Sequence, residues 1–278
     1  MKYLFYLLIP ILFFSCDSND DYNEFEDRVL LKRIDIGYSQ YGNFKHVIYY
    51  QNEKPVVDSS FYFGDNYPEM YQYKRTWQYN DNGLVKKITS TNYQNEDYHF
   101  VEISYDSQQR ISLINNNDNI HSIFGYNNSQ ITKNYVYLTE GTDYIFHYEV
   151  NQNGNIISEV IPSGLQTAQV QYNNNDIVGY ESPQISNLQF SYLDTSIPTF
   201  MKHPEFGEIQ SNYILFSGSL NYTILLNTGN RFIDQVSFDS ATWSNLEFVY
   251  EFNEYLLPTY IKRGEDGYIY SETFFKYN

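Results

Sequence analysis

The sequence predicts an all-β protein: a meander of consecutive antiparallel hairpins forming a curled sheet or incomplete barrel, with at most one or two short helices. Three observations predict it. The 278-residue chain carries 31 Tyr and 20 Phe against 3 Met; aromatic residues suit a pleated, half-buried surface, and few segments are rich in helix formers. Many segments alternate with period two: Val101, Ile103 and Tyr105 with Glu102 and Ser104, Ala168, Val170 and Tyr172 with Gln169 and Gln171, Leu188, Phe190 and Tyr192 with Gln189 and Ser191. An apolar residue at every second position marks a half-buried antiparallel strand. Finally, one unit recurs along the chain: a strand ending in tyrosine, an Asn-rich turn and an apolar strand.

The copies centre on Tyr79, Tyr105, Tyr126, Tyr148, Tyr172 and Tyr192, with a less regular copy at Phe248-Val249-Tyr250 and a first one at Val47-Ile48-Tyr49-Tyr50. Their spacing of roughly twenty to twenty-six residues fits one hairpin plus its connection. After each tyrosine the apolar pattern resumes at Leu84, Ile111, Ile131, Ile156 or Ile177, which places the turn between. Asn-Gly at 82–83 and 153–154 is a strong hairpin signal, because both residues tolerate positive φ. Residues 198–245 interrupt the pattern. Pro198, Pro204 and Gly207 break the register, and Glu208 to Phe216 fit a short helix with Ile209, Tyr213 and Phe216 on one face. A helical insertion packed on the sheet fits better than a separate domain. Thr273-Phe274-Phe275-Lys276-Tyr277 reads as a strand that closes the sheet.

The first residues are of another kind. Lys2 precedes an uncharged apolar run from Leu4 to Phe14, and Ser15 precedes Cys16, the one cysteine of the chain. About eleven apolar residues are too few to span a hydrocarbon core, so 1–15 reads as a signal peptide. Cys16 is the expected lipidation site, and the acidic run within 16–24 is the expected tether. Residues 25–278 then form one β-hairpin-repeat domain carrying the 198–245 insertion. Asp17, Asn19 and Asp21 open like a calcium loop, but Tyr22 stands where glycine is needed and Arg28 where the bidentate glutamate belongs.

The segment Phe13-Phe14-Ser15-Cys16 resembles a lipobox. Tyr105-Asp106-Ser107-Gln108-Gln109-Arg110-Ile111 resembles the YD repeat of Rhs-type proteins, with Gln109 in place of glycine, and Tyr79-Asn80-Asp81-Asn82-Gly83-Leu84 keeps the glycine but lacks the arginine. Phe248-Val249-Tyr250-Glu251-Phe252-Asn253 to Pro258 resembles a C-terminal segment of uncharacterised YD-repeat-like lipoproteins of the Bacteroidota. The resemblance covers residues 45–278. It implies a hairpin scaffold, an outer-membrane lipid anchor with the domain exposed at the cell surface, and no catalytic residue.

Function classes narrow accordingly. A formal charge of −17 argues against nucleic acid and against an anionic lipid surface, since both call for a basic patch. His46, His99, His121, His147 and His203 are dispersed without metal-ligand spacing, so no metal and no cofactor is expected. No nucleophile elbow or phosphate loop occurs, and no catalytic residue is expected. The expected role is therefore a non-enzymatic envelope scaffold or binding protein for a glycan or protein partner. Trp77, Tyr67, Tyr71, Tyr73 and Trp243 are the aromatics that could stack on such a ligand, against the simpler role of core and cross-strand packing. The alternative is a polysaccharide-active enzyme using paired carboxylates such as Glu149 with Glu159.

Overall fold

The computed structural model describes residues 30–38, 42–64, 67–138, 141–160, 166–183, 185–198, 206, 210–217, 230–239, 245–265 and 267–278. The expected signal segment 1–15, the expected lipidation site Cys16 and Trp243 lie outside them. The first nine strands are β1 (Leu30–Gly37), β2 (Asn43–Gln51), β3 (Lys54–Gly64), β4 (Tyr67–Tyr79), β5 (Val85–Asn92), β6 (Asp97–Tyr105), β7 (Ile111–Asn116), β8 (Ile120–Tyr126) and β9 (Gln130–Tyr137). Then come β10 (Thr142–Val150), β11 (Ile156–Val160), β12 (Gln166–Asn173), β13 (Asp176–Ser182) and β14 (Ile185–Ser196). Helix α1 (Gln210–Ser217) precedes β15 (Arg231–Phe238), β16 (Leu246–Phe252), β17 (Pro258–Glu265) and β18 (Tyr268–Tyr277).

Every strand pairs antiparallel with the next, and β1 pairs with both β2 and β18. The eighteen strands therefore close on themselves. This corrects the expectation of a curled sheet or incomplete barrel: the fold is all-β as expected, but the ring is complete. Two physical causes are visible. A bulge recurs beside the repeat tyrosine, at Tyr49/Tyr50, Gln78/Tyr79, Ser104/Tyr105, Gln171/Tyr172 and Ser191/Tyr192, and each bulge adds right-handed twist. Leu30–Gly37, which carries no tyrosine, supplies the strand that covers both remaining edges and leaves no ladder unpaired.

The tyrosines explain the repeat. In seven hairpins the even strand's tyrosine donates its hydroxyl to a carbonyl near the start of the preceding odd strand. The bonds are Tyr79 to Pro55 (2.6 Å), Tyr105 to Val85 (2.9 Å), Tyr126 to Ile111 (2.7 Å), Tyr172 to Ile156 (2.9 Å), Tyr192 to Ile177 (2.6 Å), Tyr250 to Ile233 (2.6 Å) and Tyr277 to Pro258 (2.8 Å). Each closes the open end of its hairpin, and the aliphatic residue beside it is buried. Tyr148 is the exception: it is 1% exposed, and its hydroxyl reaches no strand carbonyl among the described residues but lies beside the Glu159 carboxylate.

The turn after the tyrosine has its own chemistry. Asn80 Oδ1 accepts from the N–H groups of Asn82 and Leu84, Asp106 Oδ1 from Gln108 and Arg110, Asn151 Oδ1 from Asn153 and Asn155, and Asn253 Oδ1 from Tyr255 and Leu257. The residue three places after each Asx is left-handed: Gly83 at φ 76°, Gln109 at 62°, Gly154 at 80° and Leu256 at 59°. Asn92 and Asn116 build the same turn at the opposite end of the ring. Arg110, at the position the YD-like motif reserves for arginine, bonds Asp106 (2.8 Å) and lies 4.1 Å over the Tyr126 ring.

The buried face of the ring points inward. Its largest cluster runs from Val85 and Ile88 through Ile111, Ile131, Ile156 and Ile177 to Val236 and Leu246, and includes Phe206, Ile214 and Leu215. Helix α1 overlaps the predicted 208–216 segment and runs one residue beyond it. Ser211, Asn212, Ile214 and Leu215 are all buried, as befits a helix surrounded by protein. Asn212 pins it to the β6–β7 turn, accepting from Ile111 N at 3.0 Å and donating to Gln109 O at 2.9 Å. Phe216, from the predicted face, stacks on Phe206 at 4.5 Å. Over β5–β16 the described inner face is thus packed.

Candidate functional site

The interior changes character at β17, β18 and β1–β4. On β1 the inward set is Arg33 and Asp35, while Ile34 and Ile36 point outward, as the pairing of Asp35 with Thr273 and His46 requires. His46, Asp58 and Arg75 continue the inward set across β2, β3 and β4. Here lies a chamber of about 420 Å³, lined by Arg33, Asp35, Phe44, His46, Phe232, Phe248, Tyr250, Ile261, Arg263, Ser271, Thr273 and Phe275. That volume is in the range of small-molecule sites.

One wall of the chamber is ionic. Arg33 Nε donates to Asp35 Oδ1 at 2.8 Å, and Thr273 Oγ1 donates to the same oxygen at 2.7 Å. The Arg33 guanidinium also lies 5.8 Å over the Phe275 ring. Behind His46, Asp58 is fully buried. Arg75 Nε reaches Asp58 Oδ2 at 2.8 Å, Arg75 Nη2 reaches the same oxygen, and His46 Nδ1 stands 3.4 Å from Asp58 Oδ1. Burial alone would push the Asp58 carboxyl upward; His46 and Arg75 outweigh it and hold it below the usual carboxylate range. The other wall is aromatic. Phe248 and Tyr250 stack at 6.4 Å and 13°, Tyr250 and Phe252 at 5.9 Å and 22°, and Phe232 meets Tyr250 at 5.0 Å. Guanidinium, carboxylate, imidazole and hydroxyl groups facing flat rings can orient a small polyhydroxylated ligand by hydrogen bonds while its apolar face stacks.

No protein-family model and no curated protein matches the chain. Among solved structures, a porin-like protein from Bacteroides uniformis aligns at 14% identity and TM-score 0.46, covering 90% of this chain and 98% of that one. A porin-like protein from Bacteroides vulgatus aligns at 11% identity and TM-score 0.35 with the same coverage. The Tc holotoxin pore of Photorhabdus luminescens aligns at 7% identity and TM-score 0.25, over 85% of this chain and 13% of that one. No activity passes to this chain from likenesses at that level.

The outer wall of the barrel is informative in itself. A membrane-spanning barrel turns an apolar band about 25 Å tall toward lipid and keeps its polar residues inside. Here the exposed positions include Glu102 and Ser104 on β6, Gln169 and Gln171 on β12, Glu181 on β13, Gln189 and Ser191 on β14, and Glu247 and Glu251 on β16, with the apolar Ile123, Ile145 and Val249 among them. Over β6–β16 the described wall is mainly polar and carries no continuous apolar band.

The sequence-predicted ligand residues do not form one platform. Trp77 and Tyr73 share the inner face of β4, where the Arg75 guanidinium lies 5.5 Å over each ring and Tyr73 meets His46 edge to face at 6.3 Å. A register shift beside them puts Tyr71 against Phe61, at 5.7 Å, on the outer face. Tyr67 pairs through its backbone with Gly64. Glu149 and Glu159 cannot act together, because they lie on opposite faces: Glu149 is exposed outside, and Glu159 is buried inside beside Tyr148. Sequence reasoning missed Arg33, Asp35, Asp58, Arg75 and Arg263. The available signal was charge placed at every second position of a strand.

Proposed function

We propose that this chain is a non-enzymatic lipoprotein of the outer membrane, anchored through Cys16, whose barrel stands outside the bilayer and binds an envelope partner. The chamber takes a saccharide end of that partner. The observation that carries this reading is the chamber, where paired charges face stacked rings inside a barrel whose remaining interior is closed by apolar packing and helix α1. The YD-repeat resemblance agrees with a scaffold role, and the polar outer wall over β6–β16 agrees with a domain held in water by a separate anchor.

The test titrates the full chain with a panel of envelope oligosaccharides, following binding by calorimetry and turnover by product analysis. Binding without turnover, weakened at least tenfold by Tyr250→Ala or Asp35→Asn, is the expected result. Hydrolysis that one Asp or Glu substitution abolishes without unfolding the protein overturns it. For the anchor, Cys16→Ala is expected to leave the membrane fraction in a detergent-free lysate; continued sedimentation with membranes contradicts it.

A further inference from the structure

The formal charge of −17 conceals a strong segregation. Over β6–β16 and the turns between them, the described lysines and arginines are Lys133, inside the ring, and Arg110 and Arg231, both at its tyrosine end. Across the outer wall of β17, β18, β1, β2, β4 and β5, by contrast, stand Lys262, Lys276, Lys32, Lys45, Lys74 and Lys87. The pairing fixes their direction. Lys32 faces Lys276 across β1 and β18, while their neighbours Arg33 and Phe275 point inward. Lys45 sits opposite Phe61, and Lys74 opposite Ser59.

Carboxylates on this wall are few. Glu102 pairs with Lys87 at 3.0 Å, and Glu272 lies opposite Lys262 while accepting from Tyr260 at 2.5 Å. Lys32, Lys74 and Lys276 make no ion pair among the described residues. Exposed rings stand between the lysines: Tyr49 is 45% exposed and Phe274 40%, and Lys32 lies 5.3 Å over Tyr49. Partly exposed lysines on the outer wall, interleaved with aromatic rings, fit an anionic headgroup surface, where the ammonium groups meet phosphate and the rings sit at the interface.

We propose that this basic, aromatic wall docks the barrel on its side against anionic lipid headgroups. Net charge does not forbid it. Eighteen strands about 4.8 Å apart make a ring on the order of 27 Å across, and charges are screened over about 8–10 Å at physiological salt. The acidic wall of β6–β16 is therefore largely hidden from a surface touching β1. The location fits too, since β1 begins at Leu30, fourteen residues after Cys16. In that respect the inference deepens the anchored-lipoprotein reading, but its test does not depend on the anchor.

The experiment uses the full chain carrying Cys16→Ala, so that no acyl chain can retain it. Its sedimentation is compared with vesicles of equal parts phosphatidylglycerol and phosphatidylcholine, and with vesicles of phosphatidylcholine alone. Expected are binding to the mixed vesicles, at least tenfold weaker binding to phosphatidylcholine, and loss of binding as salt is raised. The triple variant Lys32→Gln/Lys74→Gln/Lys276→Gln lowers the affinity roughly a hundredfold. Gln169→Glu/Gln171→Glu/Gln189→Glu changes net charge equally on the acidic wall and leaves binding within about twofold, because those sites lie beyond the screening length. Equal binding to both vesicles, no binding to either, or equal loss in both triple variants overturns the proposal. So does self-association in solution that the lysine variant abolishes without any vesicle binding, since the acidic wall of a second copy would then be the occupant. None of these outcomes alters saccharide binding in the chamber or the fractionation of the lipidated chain.

Discussion

Removing single hydroxyls from the tyrosine ladder separates Tyr148, which bonds no strand carbonyl among the described residues, from the rest. In Tyr172→Phe the ring stays, and what disappears is a 2.9 Å bond to Ile156 O. A hydrogen bond contributes about 0.5–1.5 kcal/mol net, and stranding a buried acceptor adds to the loss, so about 1–2 kcal/mol is expected. Tyr126→Phe, which loses its 2.7 Å bond to Ile111 O, should cost the same. These two sites share no partner, so the double variant should lose about the sum. Tyr148→Phe is the contrast. Its hydroxyl is buried beside the Glu159 carboxylate without a carbonyl partner, so deleting it strands no backbone acceptor and should change stability by less than about 1 kcal/mol. Urea unfolding followed by circular dichroism measures all four, with equal m-values required for the comparison. If Tyr148→Phe costs as much as Tyr172→Phe, or if Tyr172→Phe costs nothing, the ladder is not what closes the hairpins.

Two further predictions concern the turns and the chamber. Leu256 holds φ 59° where the equivalent turns have Gly83 and Gly154; a left-handed conformation costs a residue with a Cβ about 1–2 kcal/mol and glycine gives back about 0.5–1 in chain entropy. Leu256→Gly should thus stabilise by up to about 1 kcal/mol, read as a rise in urea midpoint, while Gly154→Leu should lower it. Asp58→Asn leaves the Arg75 guanidinium facing no anion, and with that cation partly exposed the cost should be about 2–3 kcal/mol by the same measurement. Because the folded-state pKa of Asp58 is depressed, its stabilisation is complete above the unfolded carboxylate value near 4 and fades as pH falls through the lower folded value. Wild type should therefore lose stability on acidification below about pH 5 more steeply than Asp58→Asn.

Much of the scaffold was legible because the repeat obeys local rules. Period-two patterning at 101–105, 168–172 and 188–192 marks strands whose inner face is apolar, and Tyr-Asn or Tyr-Asp followed by a left-handed residue marks the turn. Closure was not legible. It depends on β1, whose sequence Leu30–Gly37 has no tyrosine and whose two partners lie at opposite ends of the chain. The chamber escaped for a related reason. Alternation of Arg33 and Asp35 with Ile34 and Ile36 does not say which set faces inward, and the ring turns Arg33 and Asp35 inward there, because this sector encloses a cavity instead of packed side chains. The turns at Asn92 and Asn116 were invisible because no tyrosine introduces them, although their hydrogen bonds match those at Asn80. Net charge by itself does not describe the surfaces, since a sum over the chain cannot register that lysines gather on one wall.

The central claim is that the barrel stands outside the lipid core, and the mass of detergent carried by the purified native protein tests it most directly. Light scattering coupled to size-exclusion chromatography measures that mass. An anchored, water-facing barrel should carry only what the lipid chains on Cys16 collect, and the Cys16→Ala chain should carry none and stay monodisperse in plain buffer. A full detergent belt on both proteins, with precipitation of Cys16→Ala when detergent is withdrawn, would mean that the wall faces lipid after all.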